Sequence, residues 1–145
     1  MSTANELYRV RLVSYEELIS KIKSGNSVAF GTWMGQPHGA MRALAKFGGK
    51  LDPLYVTTAP ASAAGEFLSQ PNIVCFSGFL GPFERAARRD QRNVFYTPTH
   101  YSDAYQAVRA NPPPDFLIVR AAPWSSMLRR SRRHATPVSF APFTR

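Results

Sequence analysis

At 145 residues with 44% apolar side chains, the chain is the size of one globular domain and holds enough apolar material for a real core. No apolar run approaches the roughly 18 residues of a membrane span, the N-terminus has neither a basic nor an apolar leader segment, and a lone Cys75 excludes an internal disulfide or a cysteine-based metal site; a soluble, cytoplasmic chain is expected. The net charge of +9 is unevenly placed, since all nine acids precede residue 123 while residues 123–145 carry five arginines and no acid, so any nucleic-acid role falls to the tail.

Residues 1–13 read as an N-terminal arm, with Leu7–Val13 either a short edge strand or a segment lying against a partner. Ser14-Tyr-Glu-Glu17 is a capping box, in which Ser14 accepts from the third helical N–H and Glu17 reaches back. Tyr15, Leu18, Ile19 and Ile22 fall at helical spacing, and Gly25 is the expected stop. Ser27–Phe30 is a short apolar run without alternation, the mark of a buried strand. The glycine-bearing loop Gly31–Pro37 follows, then a helix over His38–Phe47. Such a strand-loop-helix unit places a loop at the carboxyl end of a strand, where open parallel sheets bind ligands and a helix N-terminus offers N–H groups to an anion. The loop lacks the spacing of a dinucleotide or phosphate-loop fingerprint, so the glycines alone leave a plain turn equally open.

Leu54–Thr58 has the content of a second strand, and a small-residue loop over 59–65 leads to a short helix near Glu66–Ser69. Ile73–Ser77 is a third strand with Cys75 as a core thiol, and Gly78–Pro82 repeats the glycine-rich exit. Phe83–Arg92 reads as a helix whose Arg85, Arg88, Arg89 and Arg92 share one face, either a solvated surface or a place for a phosphate-bearing ligand. Val94–Thr97 is a fourth strand, Ser102 an N-cap for a helix with Tyr105 and Val108 facing inward, Asn111–Pro114 a hard stop, and Asp115–Arg120 a fifth strand. Strands alternating with helices specify an α/β fold with a mostly parallel sheet flanked by helices. From Pro123 onward the periodicity is lost, and no element is expected in the arginine- and serine-rich tail.

With these elements placed, the chain resembles the N-terminal part of the acetyl-CoA hydrolase/transferase family, which includes the 4-hydroxybutyrate and butyrate-type CoA-transferases. The resemblance runs over residues 14–123. Its landmarks are the run from Glu17 to Gly31, then Gly35-Gln36-Pro37 before Ala43-Leu44, Gly78-Phe-Leu-Gly-Pro82 with Arg85 and Ala86, Tyr96-Thr-Pro98 with His100, Tyr101 and Ser102, and Asp115-Phe-Leu-Ile-Val with Ala121-Ala-Pro123. Order and spacing carry the resemblance, since no single landmark is specific.

The resemblance implies an enzyme of two similar α/β domains acting on acyl-CoA thioesters, with coenzyme A as substrate and no cofactor or metal. A glutamate on the C-terminal domain would attack the thioester carbonyl, and CoA would pass to a short-chain carboxylate or the intermediate would be hydrolysed. By position, Gly31, Gly35, Gln36 and Pro37 would line the acyl end, flanked by Gly78, Gly81, His100 and Ser102. No residue present matches the family's catalytic glutamate. Glu66 and Glu84 are the carboxylates near the glycine loops, and each reads as a surface or capping residue. The contiguous Ser102, His100 and Asp103 make a poor triad, and His38, His100 and His134 do not assemble a metal site. Residues 124–145 depart from the family, so the chain is expected to be a truncated member, inactive alone and prone to self-association through surface that a second domain would cover. Two alternatives stand beside this reading: a stand-alone CoA-binding module, and a basic adaptor that engages nucleic acid through its tail.

Overall fold

The computed structural model describes residue 10 and residues 12–61, 65–90, 92–103, 112–120 and 138–139. Helix α1 (Tyr15–Ser20) opens as its sequence dictates, with the Glu17 N–H donating to Ser14 Oγ at 3.1 Å. The Glu17 carboxylate does not reach back; it pairs with Lys21 Nζ one turn on, at 3.1 Å. The helix also ends earlier than the apolar spacing predicts. Lys21 and Ile22 make tight bonds to the carbonyls of Leu18 and Ile19, and Gly25, at φ +84°, serves a later turn where its N–H donates to Pro53. Ile22 stays buried outside the helix, because the turn folds it back onto the core.

The sheet is formed by β1 (Ser27–Phe30), β2 (Leu54–Thr58), β3 (Ile73–Ser77), β4 (Val94–Tyr96), β5 (Phe116–Ile118) and β6 (Val138–Ser139), in the order β4-β3-β2-β1-β5-β6. Every pairing is parallel, which makes this an α/β parallel-sheet fold flanked by helices. The strand β6 corrects the expectation of a tail without elements: Val138 and Ser139 pair beside Leu117 and Ile118. Two residues are too few to announce a strand by alternation.

Helices α2 (His38–Phe47) and α3 (Pro82–Arg89) and the 3-10 turn Gly65–Ser69 connect the strands. Side chains Val28, Phe30, Val56, Cys75 and Ile118 meet Met41, Leu44, Phe67 and Leu68 in one core. On the other face of the sheet, Leu117, Ala29, Thr57, Phe76 and Phe95 lie in one register row across five strands, and Tyr55 lies beside that row. Phe95, Tyr55 and Leu117 are exposed there. Of the N-terminal arm over 1–13, residues 1–9 and 11 lie outside the described residues, and Val10, Leu12 and Val13 are in no strand, so the described part is not the edge strand considered. The helix expected to carry Tyr105 and Val108 lies outside the described residues, and Tyr101–Asp103 is a 3-10 turn. Among the described residues no helix is long and apolar enough to cross a membrane.

One side-chain pair fixes where β5 meets β1. The Ser27 N–H and hydroxyl donate to Asp115 Oδ2 at 2.7 and 2.9 Å, and the Asp115 N–H returns a 3.0 Å bond to Ser27 Oγ. The backbone bond from Ser27, followed by its side-chain bond, holds the Asp115 carboxyl below its ordinary value of 3.8. A lowered carboxyl favours the folded state above the unfolded value, and that contribution is lost as pH falls through the lower folded value. Asp115→Asn is therefore expected to melt at lower temperature near neutrality and to show a shallower fall in melting temperature than the parent below pH 3.8. Parallel curves across that range would disprove the linkage.

Candidate ligand-binding edge

Strand order turns around at β1. The connections from β1 to β4 step across the sheet in one direction, while β5 lies on the opposite side of β1. In open α/β sheets the crevice outside the carboxyl ends at such a reversal is where ligands bind. The loop over 31–37 leaves β1 at this point.

The loop is pinned from several sides. The Gly31 N–H donates to Ile118 O at 2.9 Å, extending the β1–β5 ladder by one residue. A Cβ on Gly31 would lie 2.5 Å from the Gly35 carbonyl oxygen and 3.1 Å from Val119 Cγ1, so glycine is required for the chain to turn this tightly. Gly35 donates to Thr32 O at 2.8 Å, and its own carbonyl accepts from the Arg120 N–H at 2.8 Å. Between them, Trp33 takes φ +48°, in the left-handed region that non-glycine residues seldom occupy. The result is a fixed backbone displaying exposed Trp33 and Met34 at the carboxyl edge.

Gln36 and Pro37 lie behind this display, not on it. Gln36 is fully buried, and its amide nitrogen donates to the carbonyl of Pro60 and, at 3.4 Å, to that of Ala59, in the exit loop of β2. Pro37 is buried as the N-cap of α2, with the Met41 N–H donating to its carbonyl at 3.0 Å. Gly78 follows β3, where the Thr97 N–H donates to Ser77 O at 3.0 Å and joins the exits of β3 and β4. Gly81 is the N-cap of α3. His100 and Ser102 are exposed after β4, a strand three places from β1 in the sheet order. Gly31, Gly35, Gln36 and Pro37 thus form one unit, while His100 and Ser102 follow a different strand of the same sheet.

Glu84 takes neither the surface nor the capping role expected of it. It is fully buried at the third position of α3, and its Oε1 accepts from the Ala61 N–H at 2.5 Å. The signal for such a residue was the run Gly81-Pro82-Phe83-Glu84, a cap, a first-turn proline and an acid at the third helical position. Nothing in that run announces burial. Beneath it, Cys75 is a buried thiol pushed up to about 12, first by desolvation and then by the Glu84 carboxylate. Such a thiol is not a nucleophile at neutral pH.

Helix α3 ends at Arg89, so Arg85, Arg88 and Arg89 alone are on the helix, and all three are exposed. Arg92 instead lines a shallow groove of about 210 Å³ with Gly65, Glu66, Phe83 and Asp90. Among the described residues no group of three or more His, Cys, Asp or Glu side chains stands ready to hold a metal ion.

Neither a family model nor a curated protein matches the chain. Solved structures do. RipA from Yersinia pestis superposes with a TM-score of 0.73 at 24% identity, over 87% of this chain and 32% of that one, and a RipA mutant reaches 0.75 at 25% identity. A 4-hydroxybutyrate CoA-transferase from Porphyromonas gingivalis gives 0.50 at 22% identity over 81% of this chain and 26% of that one. The decarboxylase AibA/AibB gives 0.50 at 17% over 77% and 62%. The fold is CoA-transferase-like. The chain spans about a third of the length of the RipA structures it matches.

Proposed function

We propose that this chain binds an acyl-CoA at the carboxyl edge of its sheet, as the N-terminal domain of an acyl-CoA:carboxylate CoA-transferase or acetyl-CoA hydrolase of short-chain acyl-CoA metabolism. The observation that carries the reading is the pinned loop over 31–36 at the strand-order reversal, on a fold shared with a 4-hydroxybutyrate CoA-transferase. Backbone N–H groups of a fixed loop stabilise a developing oxyanion without reorganising; with those of Gly31, Gly35 and Gln36 already bonded within the fold, this role would fall to the N–H groups of residues 32–34. Exposed Trp33 and Met34 offer apolar contact to the acyl end. The attacking glutamate lies outside these residues: Glu84 is enclosed and bonded to Ala61, and Glu66 faces the groove beside α3. In this reading the isolated chain binds CoA without turning it over.

The test is a thioesterase and CoA-transfer assay on the purified chain with acetyl-CoA, with and without acetate or butyrate, beside calorimetry with CoA. Saturable binding without turnover is the expected result. Turnover would overturn the assignment of the nucleophile to another domain, and an absence of binding would overturn the ligand edge itself.

A further inference from the structure

We propose that Glu84 and Gln36 form a buried brace across the strand exits, and that both are positioning residues holding the loop over 31–36 from behind without touching ligand. The purpose of the brace rests on the acyl-CoA reading of that edge, whereas its geometry does not.

The exit of β2 at Ala59-Pro60-Ala61 lies outside the regular elements, and Ala61 is fully buried. Buried backbone polar groups must be matched. Here two fully buried side chains, one from the β1 exit loop and one from the first turn of α3, do so: the Gln36 amide takes the carbonyls of Ala59 and Pro60, and Glu84 Oε1 takes the Ala61 N–H at 2.5 Å. A carboxylate bonded to a backbone N–H in an enclosed place makes a strong, directional contact. On the far side of Gln36, the Gly35 carbonyl accepts from the Arg120 N–H at 2.8 Å. A continuous run of bonds thus leads from α3 through the β2 exit and the β1 loop to the β5 exit. The other carboxylate oxygen, Glu84 Oε2, has no partner among the described residues and would lie 2.8 Å from a Cβ on Gly81. Glycine there leaves room for the carboxylate, and the acid is placed for the loop rather than for an ion pair.

Trp33 reports on the brace directly, because it sits in the loop that Gln36 holds and the chain contains one other tryptophan, Trp124. In a Trp124→Phe background, the emission maximum and acrylamide quenching of Trp33 are measured for Glu84→Ala, Glu84→Gln, Gln36→Ala and the double Glu84→Ala/Gln36→Ala, with circular dichroism confirming the fold. Glu84→Ala is expected to red-shift Trp33 and raise its quenching, although Glu84 is on α3. Glu84→Gln, which keeps an acceptor oxygen for Ala61, is expected to restore the parent signal. The double variant is expected to match Gln36→Ala alone, since members of one network do not act additively. A folded Glu84→Ala with unchanged Trp33, or effects that simply add, would overturn the brace. Should Glu84→Ala fail to fold, Glu84→Asp, one methylene shorter, must shift Trp33 while Glu84→Gln does not; the opposite order overturns it equally. Calorimetry with CoA on the same proteins separates the two readings: a parent that binds no CoA removes the acyl-CoA function and leaves the brace to stand or fall on Trp33.

Discussion

Phe67→Ala is expected to destabilise the fold by about 3–5 kcal/mol, the cost of emptying a large aromatic site in a packed core. Phe67 is fully buried, and its ring meets that of Phe30 edge-on with centroids 5.8 Å apart and planes at 66°. The favourable geometry of such a pair adds to the area it buries. The position matters as much as the size, because Phe30 is the last residue of β1 and Gly31 begins the ligand-edge loop. Loss of the Phe67 ring therefore removes packing directly beneath the start of that loop. Urea unfolding of parent and variant checks the magnitude, and a loss below about 1 kcal/mol would mean that the turn over 65–69 collapses into the space and that the core is less committed there than it looks.

Gly31→Ala is the second large expectation. The new methyl would sit 2.5 Å from the Gly35 carbonyl oxygen, a backbone atom that cannot swing aside as a side-chain tip would. That carbonyl is also held by the Arg120 N–H at 2.8 Å, and the Gly31 N–H is committed to Ile118 at 2.9 Å. The loop must open at one of these bonds, for a loss of about 1–3 kcal/mol, in the range of overpacked cores. Under the proposed function, CoA binding is expected to vanish while the helices and sheet persist. Thermal melting paired with CoA calorimetry reads both effects, and a variant with parental stability and binding would contradict the close approach on which the site rests.

Much of this architecture was legible in the chain because its signals are local. The capping serine at Ser14, the apolar runs of β1, β2 and β3, and the glycine-led exits each depend on a few adjacent residues, and each forms where the pattern puts it. Element ends were less legible: Gly25 is drawn into a turn by a distant contact, its N–H donating to Pro53, while Arg92 falls beyond the helix end, its N–H closing a local turn onto Ala87. The candidate edge divided along the same line. That residues 31–37 form a loop at a strand end follows from order alone, but its place at the reversal depends on where β5 docks, which no local pattern states. A linear reading puts Gln36 at the acyl end of the site and gives Glu84 a surface or capping role, and neither announces a buried residue bonded to the β2 exit. Their burial gives the β2 exit partners for its backbone, an arrangement visible only once that exit, the β1 loop and the first turn of α3 are side by side.

The central place of β1 has a consequence for how the molecule breathes. Its backbone is hydrogen-bonded to a neighbour on both flanks, β2 and β5, whereas β4 at the rim is paired on one flank by β3. Fraying begins where fewest bonds must break, so amide exchange with solvent starts at the rim strands β4 and β6 and reaches the inner strands, β1 among them, later. The loop over 31–36 thus hangs from an inner strand of the sheet, and it stays folded through local excursions that strip away the rims.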